Sequence, residues 1–163
     1  MLRAIFIFFV GGTLGLVAGF AIGIFAYPYI FLADVVAAEQ APSQAAEVKP
    51  AATGSFIHAD PSDPIHHGKG TVTVYPDLVR LEPDFEVGPG PKYHVYLVPL
   101  DAVTPDTKVA QSMFVDLGRL RAFKGSQNYP VPPGTDLKAY KHVVIWCEQF
   151  GVLISPAKLA FQN

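Results

Sequence analysis

The chain opens with one long apolar stretch and continues as short apolar runs separated by turn residues. No charged residue occurs from Ala4 to Leu32. About 20 helical residues cross a hydrocarbon core of about 30 Å, whereas a signal-peptide apolar region has at most about 15 residues. The pattern therefore predicts an N-terminal transmembrane α-helix, residues 1–32, retained as an anchor. The alternative is removal at Val36-Ala37-Ala38, a small-residue sequence of the kind that signal peptidase cleaves.

Two further regions follow the predicted helix. Residues 33–53 are rich in alanine and proline and contain few residues that could pack, which predicts an extended linker. In residues 54–163, Gly and Pro recur at short intervals between β-branched and aromatic runs, which leaves no room for long helices. This pattern predicts a mainly β domain, an antiparallel β-sandwich. The predicted strands are 55–59, 70–75, 78–82, 93–98, 113–117, 142–148 and 151–155.

Two of these strands have informative side-chain patterns. In residues 93–98, Tyr93, Val95 and Leu97 alternate with His94, Tyr96 and Val98, as in a strand with two distinct faces. Residues 143–147 are apolar on both faces, which predicts a central strand. Residues 99–112 contain few large apolar side chains and are expected to form a long loop.

The predicted helix carries a regular row of glycines. Gly11, Gly15, Gly19 and Gly23 recur at intervals of four and therefore share one helix face. Small residues at this spacing allow a second helix to approach closely, and close packing drives helix association in lipid. We expect this glycine ridge to contact a transmembrane helix of another subunit or of a second copy; the alternative is that glycine is simply common in membrane helices.

Charge predicts the orientation and excludes one class of partner. Arg3 precedes the helix, whereas Asp34, Glu39 and Glu47 follow it before the first lysine, Lys49. The positive-inside rule then predicts a single-pass protein with a cytoplasmic N-terminus and with residues 54–163 outside the cytoplasm, in the periplasm if the source is bacterial. The formal net charge of the chain is −2. Such a balance argues against nucleic acid as a partner, and leaves the lipid bilayer and other proteins.

The chain contains one cysteine, Cys147, which cannot form an internal disulfide. In an extended strand it shares a face with Val143 and Ile145, and free cysteine is among the most buried residue types. It is therefore either a small core residue or a redox thiol. A thiolate would require exposure and a nearby positive group, for which Lys141, His142 and the histidines of residues 58–67 are the candidates.

The histidines suggest a metal or haem site. His66 and His67 are adjacent and His94 lies in a predicted strand, but neighbouring residues of an extended chain point in opposite directions and rarely bind one ion. Blue-copper sites usually place a histidine and a methionine shortly after their cysteine, and neither follows Cys147. Haem held by a histidine and Met113 stays open. No phosphate-binding glycine loop, nucleophile elbow or zinc-protease helix occurs, so we predict neither an enzyme activity nor a cofactor.

A series of blocks, in the same order throughout residues 54–163, resembles the DM13 family. The most specific blocks are a Gln-Asn-Tyr turn and a Val-Ile-Trp-Cys strand. The blocks are Gly54-Ser55-Phe56, His67-Gly68-Lys69-Gly70-Thr71-Val72, 81–85, Gly88-Pro89, Val95-Tyr96-Leu97, Leu117-Gly118-Arg119-Leu120, Gly125-Ser126-Gln127-Asn128-Tyr129, 140–147, Phe150 and Ala157-Lys158-Leu159. The turn at residues 88–92 is longer than is usual in the family, and the loop at residues 122–124 is shorter.

The resemblance implies a compact β-sandwich that accompanies DOMON and b-type cytochrome domains and acts in electron transfer through its cysteine, here Cys147. The family's His-x-x-Gly turn corresponds to His67 and Gly70. Because no cytochrome segment is present, an electron carrier would be a separate protein.

Three functional hypotheses follow. The first is an accessory or structural subunit of a membrane electron-transfer complex, photosynthetic or respiratory. The second is a redox domain that uses the Cys147 thiol in electron transfer or mixed-disulfide chemistry. The third is a haem- or metal-binding sandwich that uses His66, His67 or His94.

Overall fold

The N-terminal stretch is a single long helix. A computed structural model of the chain describes residues 1–41 and 48–162. Helix α1 spans Leu2–Tyr27 and continues as a π-helical turn, Pro28–Leu32. Among the described residues, Leu2–Leu32 is the one segment long and apolar enough to cross a membrane, with a mean hydropathy of 2.3. No α1 residue is buried, which supports the predicted membrane anchor.

The rest of the described chain is mostly β-structure. Short 3-10 turns occur at Val109–Gln111 and Leu137–Ala139. The ten strands in the described residues are β1 Val36–Ala38, β2 Ala52–Phe56, β3 Gly68–Tyr75, β4 Leu78–Leu81, β5 Glu86–Val87, β6 Tyr93–Val98, β7 Val115–Arg119, β8 Lys124–Pro130, β9 His142–Cys147 and β10 Val152–Phe161.

The described strands form one continuous sheet in the order β1-β8-β4-β3-β2-β10-β9-β6-β7, and β5 pairs with β3 and β8. The β1–β8 pair is parallel and the other pairs are antiparallel. The sheet folds over a common core, because side chains from both of its halves belong to one buried cluster. Val72 of β3 and Tyr129 of β8 lie in this cluster with Val95 of β6 and Ile145 of β9. This arrangement agrees with the predicted mainly β, antiparallel fold.

Strand β9 is buried on both faces, as the sequence predicts. Val143 and Ile145 face the main core, whereas Val144 and Trp146 belong to a second cluster on the opposite face. The predicted loop 99–112 covers this second face: Val109, from its 3-10 turn, is fully buried there.

Strand β8 was not predicted from the sequence, in which Lys124–Pro130 has the composition of a turn. Its Gly, Ser, Gln and Asn give no apolar alternation, and the Gln-Asn-Tyr block was expected to be a turn. The strand nevertheless pairs with β4, with Arg80 opposite Asn128 and Val79 opposite Tyr129. Its inward polar side chains are stabilised by hydrogen bonds, so the hydrophobic pattern that marks a buried strand is missing.

Both ends of the predicted linker are built into the β domain. Strand β1 lies alongside β8, with Ala37 paired to Gly125, and β2 begins at Ala52, before the predicted domain start at residue 54. Residues 42–47 lie outside the described residues. Residues at both ends of the predicted linker, 33–53, therefore pair with strands of the β domain, which an extended tether would not do.

Candidate functional site

Cys147 lies at the end of β9 and faces the main core. Its residue is 1% exposed, and Val143 and Ile145 lie in the same cluster, as the alternation predicts. The thiol Sγ donates a hydrogen bond to the carbonyl oxygen of Pro91, at 3.2 Å. Burial raises the pKa of the Cys147 thiol. Burial and the raised pKa both favour the protonated thiol over the thiolate.

His142, one of the positive groups expected near Cys147, lies at the opposite end of β9. His142 begins β9 and Cys147 ends it, so about 16 Å of extended chain separates the two residues. His142 Nδ1 bonds to the carbonyl oxygen of Leu100 at 3.0 Å, and burial lowers its pKa. Opposite Cys147 lies Tyr93 of β6, a buried phenol whose pKa is raised by desolvation. This environment disfavours a thiolate.

His66 and His67 lie in and after a bend before β3, and their rings make different contacts. His66 Nδ1 contacts Asp63 Oδ2 at 2.5 Å. This hydrogen bond, with two from backbone N–H groups, lowers the pKa of Asp63 to about 2. The His67 ring lies 6.0 Å from the His58 ring, and its Nδ1 is buried without a hydrogen-bond partner among the described residues. No group of three or more potential metal ligands includes either residue in the described part of the chain.

His94 belongs to a cluster that the sequence did not reveal. Ligand atoms of His94, Asp116 and Glu148 lie within 4.8 Å of one another. His94 Nδ1 is 3.0 Å from Asp116 Oδ2, and His94 Nε2 is 3.5 Å from Glu148 Oε2. Strands β7 and β9 flank β6 and bring these residues together. Local sequence shows no sign of this, since 22 residues separate His94 from Asp116.

The cluster around His94 is already satisfied by groups of the chain itself. The Tyr96 hydroxyl donates a hydrogen bond to Glu148 Oε1 at 2.8 Å, and Lys92 Nζ lies 3.0 Å from Glu148 Oε2. These two contacts, in that order, lower the pKa of Glu148. A metal ion would have to displace Lys92, so a site at His94 stays a prediction. Met113, the methionine considered for haem, is 86% exposed.

The glycine ridge faces open space. A Cβ placed on Gly11, Gly15, Gly19 or Gly23 would meet no atom within 4 Å. Within the described part of the chain, a side chain at each ridge position would thus meet open space, although Gly23 also lines a groove that Gly90 and Arg119 of the β domain border.

The Gln-Asn-Tyr block contains a buried side-chain amide, that of Gln127, which forms hydrogen bonds with the preceding loop and with Tyr129. Gln127 is fully buried. Its Oε1 accepts hydrogen bonds from the backbone N–H groups of Arg121 and Ala122, at 3.0 and 3.2 Å, and from the Tyr129 hydroxyl at 2.8 Å. Its Nε2 donates to the Ala122 carbonyl at 2.8 Å. Gln127 therefore fixes the loop before β8, a structural role that sequence reasoning missed.

Residues 36–40 follow the helix and form a segment that we call the strap. Glu39 holds the strap against the β domain. The Glu39 carboxylate contacts the Arg121 guanidinium at 2.8 Å and accepts the Asn128 backbone N–H at 2.9 Å. The Glu39 carbonyl accepts hydrogen bonds from Arg80 and from the Ser126 hydroxyl, at 3.1 and 2.8 Å. Sequence gave no sign of these contacts, since 82 residues separate Glu39 from Arg121.

Comparison with known proteins gave one match. A family model described as "Electron transfer DM13" matches residues 61–159, which is more than half of the chain. Neither the curated proteins nor the solved structures contain a match. The match includes the Gln-Asn-Tyr block and the strand that ends at Cys147, the two most specific parts of the resemblance.

Proposed function

This chain belongs to the electron-transfer DM13 family, and from that premise we propose that it is a membrane-anchored accessory subunit of an electron-transfer complex, photosynthetic or respiratory. Helix α1 docks against a transmembrane helix of another subunit or of a second copy through the glycine ridge, and the β domain covers the outer surface of the complex.

The open glycine ridge is the observation that carries this proposal. Its four glycines leave a surface without side chains along an otherwise apolar helix, and no side chain of the described residues comes within 4 Å of the Cβ positions. The first three glycines lie further along the helix from the β domain than Gly23, which borders a groove with Gly90 and Arg119. Lipid solvates apolar side chains as well as protein does, so helix association depends on close van der Waals packing. A ridge of this kind is suited to such packing.

The proposed orientation places the N-terminus in the cytoplasm and the β domain outside it. Arg3 lies in the first turn of α1, and Asp34 and Glu39 follow the helix closely, so the positive-inside rule favours this orientation. In a bacterium the domain would lie in the periplasm.

Filling the ridge should release the protein from its complex. Gly15→Leu or Gly19→Leu places a side chain where a partner helix would approach. We expect each variant to lower the association constant at least tenfold, which corresponds to a loss of about 1.4 kcal/mol in packing energy. Gentle detergent extraction followed by quantification of the co-purifying subunits measures this. A second copy with a different tag, co-expressed, distinguishes self-association from binding to another subunit.

Val17→Leu is the matched control, because residue 17 lies on the opposite side of the helix from Gly15. This variant should retain the partner. Equal retention in the Gly15→Leu, Gly19→Leu and Val17→Leu proteins would show that the ridge is not the docking surface.

The alternative proposal, redox chemistry at Cys147, requires a reactive thiol. A mixed disulfide would form by attack of the Cys147 thiolate on a partner's disulfide, with release of the partner's other sulfur as a thiolate. The family description favours an electron-transfer role, but burial and the raised pKa of Cys147 oppose this step.

We therefore expect an aromatic disulfide reagent to label Cys147 slowly in the folded chain and at once after denaturation. Met113→Cys in a Cys147→Ser chain supplies the rate of an exposed thiol for comparison. Labelling of native Cys147 as fast as that of residue 113 would instead support the redox proposal.

A further inference from the structure

An apolar groove lies between the end of the helix and the β domain. It has a volume of about 820 Å³ and is lined by Ile22, Phe25 and Ile30 on the helix side and by Ile65, Phe150 and Val152 on the domain side. The rings of Phe25 and Phe150 stack across it, with centroids 5.6 Å apart and an interplanar angle of 9°.

The apolar side chains at this junction remain open to the surroundings. Phe25 is 55% exposed, Ile65 is 52% exposed and Phe150 is 47% exposed. Ile65 and Phe150 lie on loops of the domain, outside its strands. Large apolar residues clustered on loops beside a membrane-spanning helix contribute nothing to the domain core and are suited to lipid.

The length of the helix determines how deep in the membrane the groove lies. Leu2–Leu32 has 31 residues, which at about 1.5 Å per residue span about 46 Å, more than a hydrocarbon core of about 30 Å. The groove residues of the helix, Ile22 to Ile30, lie in its last third. Tyr27 and Tyr29 fall there too, and aromatic residues of this kind mark the headgroup level. The groove is therefore at the boundary between acyl chains and headgroups.

The other side of the helix end has a different character. Arg119 and Gln149 line a second groove there, of about 450 Å³, together with Tyr27 and Leu32 of the helix segment. The domain thus borders the helix end on two sides, with the apolar side chains of Ile65 and Phe150 on one side and, on the other, the basic side chain of Arg119, which is suited to lipid phosphates.

We propose that the β domain lies on the membrane, with Ile65 and Phe150 inserted into the adjacent leaflet and the apolar groove filled by phospholipid acyl chains. The groove is continuous with the surface of the spanning helix, so the lipid that covers the helix extends into it. Cys147 lies three residues before Phe150, so this end of the domain, with the thiol, faces the membrane.

The test uses the full chain in vesicles of phosphatidylcholine and phosphatidylglycerol without any other protein. In a Cys147→Ser background, Ile65→Cys or Phe150→Cys carries an NBD fluorophore, and Met113→Cys is the control. Met113 precedes β7, whose Val115 lies opposite Leu97, so it lies at the other end of the domain from Gly90, Pro91 and the helix. Nitroxide-labelled lipids and aqueous iodide serve as quenchers.

The expected result is several-fold stronger quenching by lipid nitroxides at residues 65 and 150 than at residue 113, with the reverse order for iodide. Equal quenching at all three sites would overturn the proposal. So would protection of residues 65 and 150 from both quenchers, which would mean that the protein closes the groove by itself. Phe150→Trp in a chain that keeps Cys147, with brominated lipids and the parent chain as reference, repeats the measurement if Cys147→Ser disturbs folding.

Discussion

Gln127→Leu should lower the free energy of unfolding of the β domain by about 3–5 kcal/mol, because a buried polar group left without its partner costs about 1–3 kcal/mol. Leucine would leave four hydrogen bonds unmade: the part-buried one of the Arg121 N–H group and the buried ones of the Ala122 N–H group, the Ala122 carbonyl and the Tyr129 hydroxyl. The apolar gain of leucine recovers only part of this loss, since four orphaned groups remain.

Urea unfolding of the full chain in detergent, followed by the fluorescence of Trp146, measures this effect. Trp146 is the single tryptophan and lies in the second buried cluster. The control is Gln111→Leu, the same change at an exposed position, where stability should stay within about 0.5 kcal/mol. If both variants unfold at the same urea concentration, the buried amide network contributes little to the stability of the domain.

Gly125→Ala should detach the strap formed by residues 36–40 and lower stability by about 2–4 kcal/mol, the sum of backbone strain and lost contacts. Gly125 has φ +86°, and an added Cβ would fall on the carbonyl oxygen of Ala37 and lie 2.8 Å from Val36 Cγ1. The clash is with backbone of β1, which cannot move aside while it stays paired with β8. Displacing β1 also breaks the contacts of Glu39.

Gly134→Ala is the matched control. Gly134 has φ +84°, but an added Cβ there meets no atom within 4 Å in the part of the chain that the structure describes. It carries the same left-handed strain without the clash, about 1–2 kcal/mol. The difference between the two variants in urea unfolding therefore isolates the strap.

Proteolysis measures directly whether the strap is attached to the β domain. Glutamyl endoprotease should cut after Glu39 more readily in the Gly125→Ala chain than in the Gly134→Ala chain, releasing the β domain from the membrane. Equal cleavage of both variants would mean that β1 is not what protects Glu39.

The strap has a consequence for function. A domain on a loose tether could sample many orientations, whereas Glu39 and β1 hold it close to the helix end. A subunit that docks through its helix would then present its domain in one orientation over the complex.

Residues 4–32 and 142–147 show what sequence alone determined about this protein. An uncharged stretch long enough to cross a bilayer is stable in lipid, and a strand that is apolar on both faces is stable inside a core. The DM13 family was likewise recognisable from the order of its blocks. In each case the local sequence is sufficient for the prediction, because hydrophobicity or a short specific motif indicates the environment of the residues.

Only the tertiary structure decided the roles of Gln127, Glu39, His94 and Cys147. Gln127 and Glu39 are polar residues whose partners lie on other strands or loops, and no local periodicity marks such pairing. His94 joins Asp116 and Glu148 only because β7 and β9 flank β6. Whether Cys147 is a thiol or a thiolate depends on the groups around it. The fold buries Cys147 in an apolar cluster, and burial and the Glu148 carboxylate both raise its pKa. Burial and long-range pairing set these properties, and both exist only once the sheet has closed.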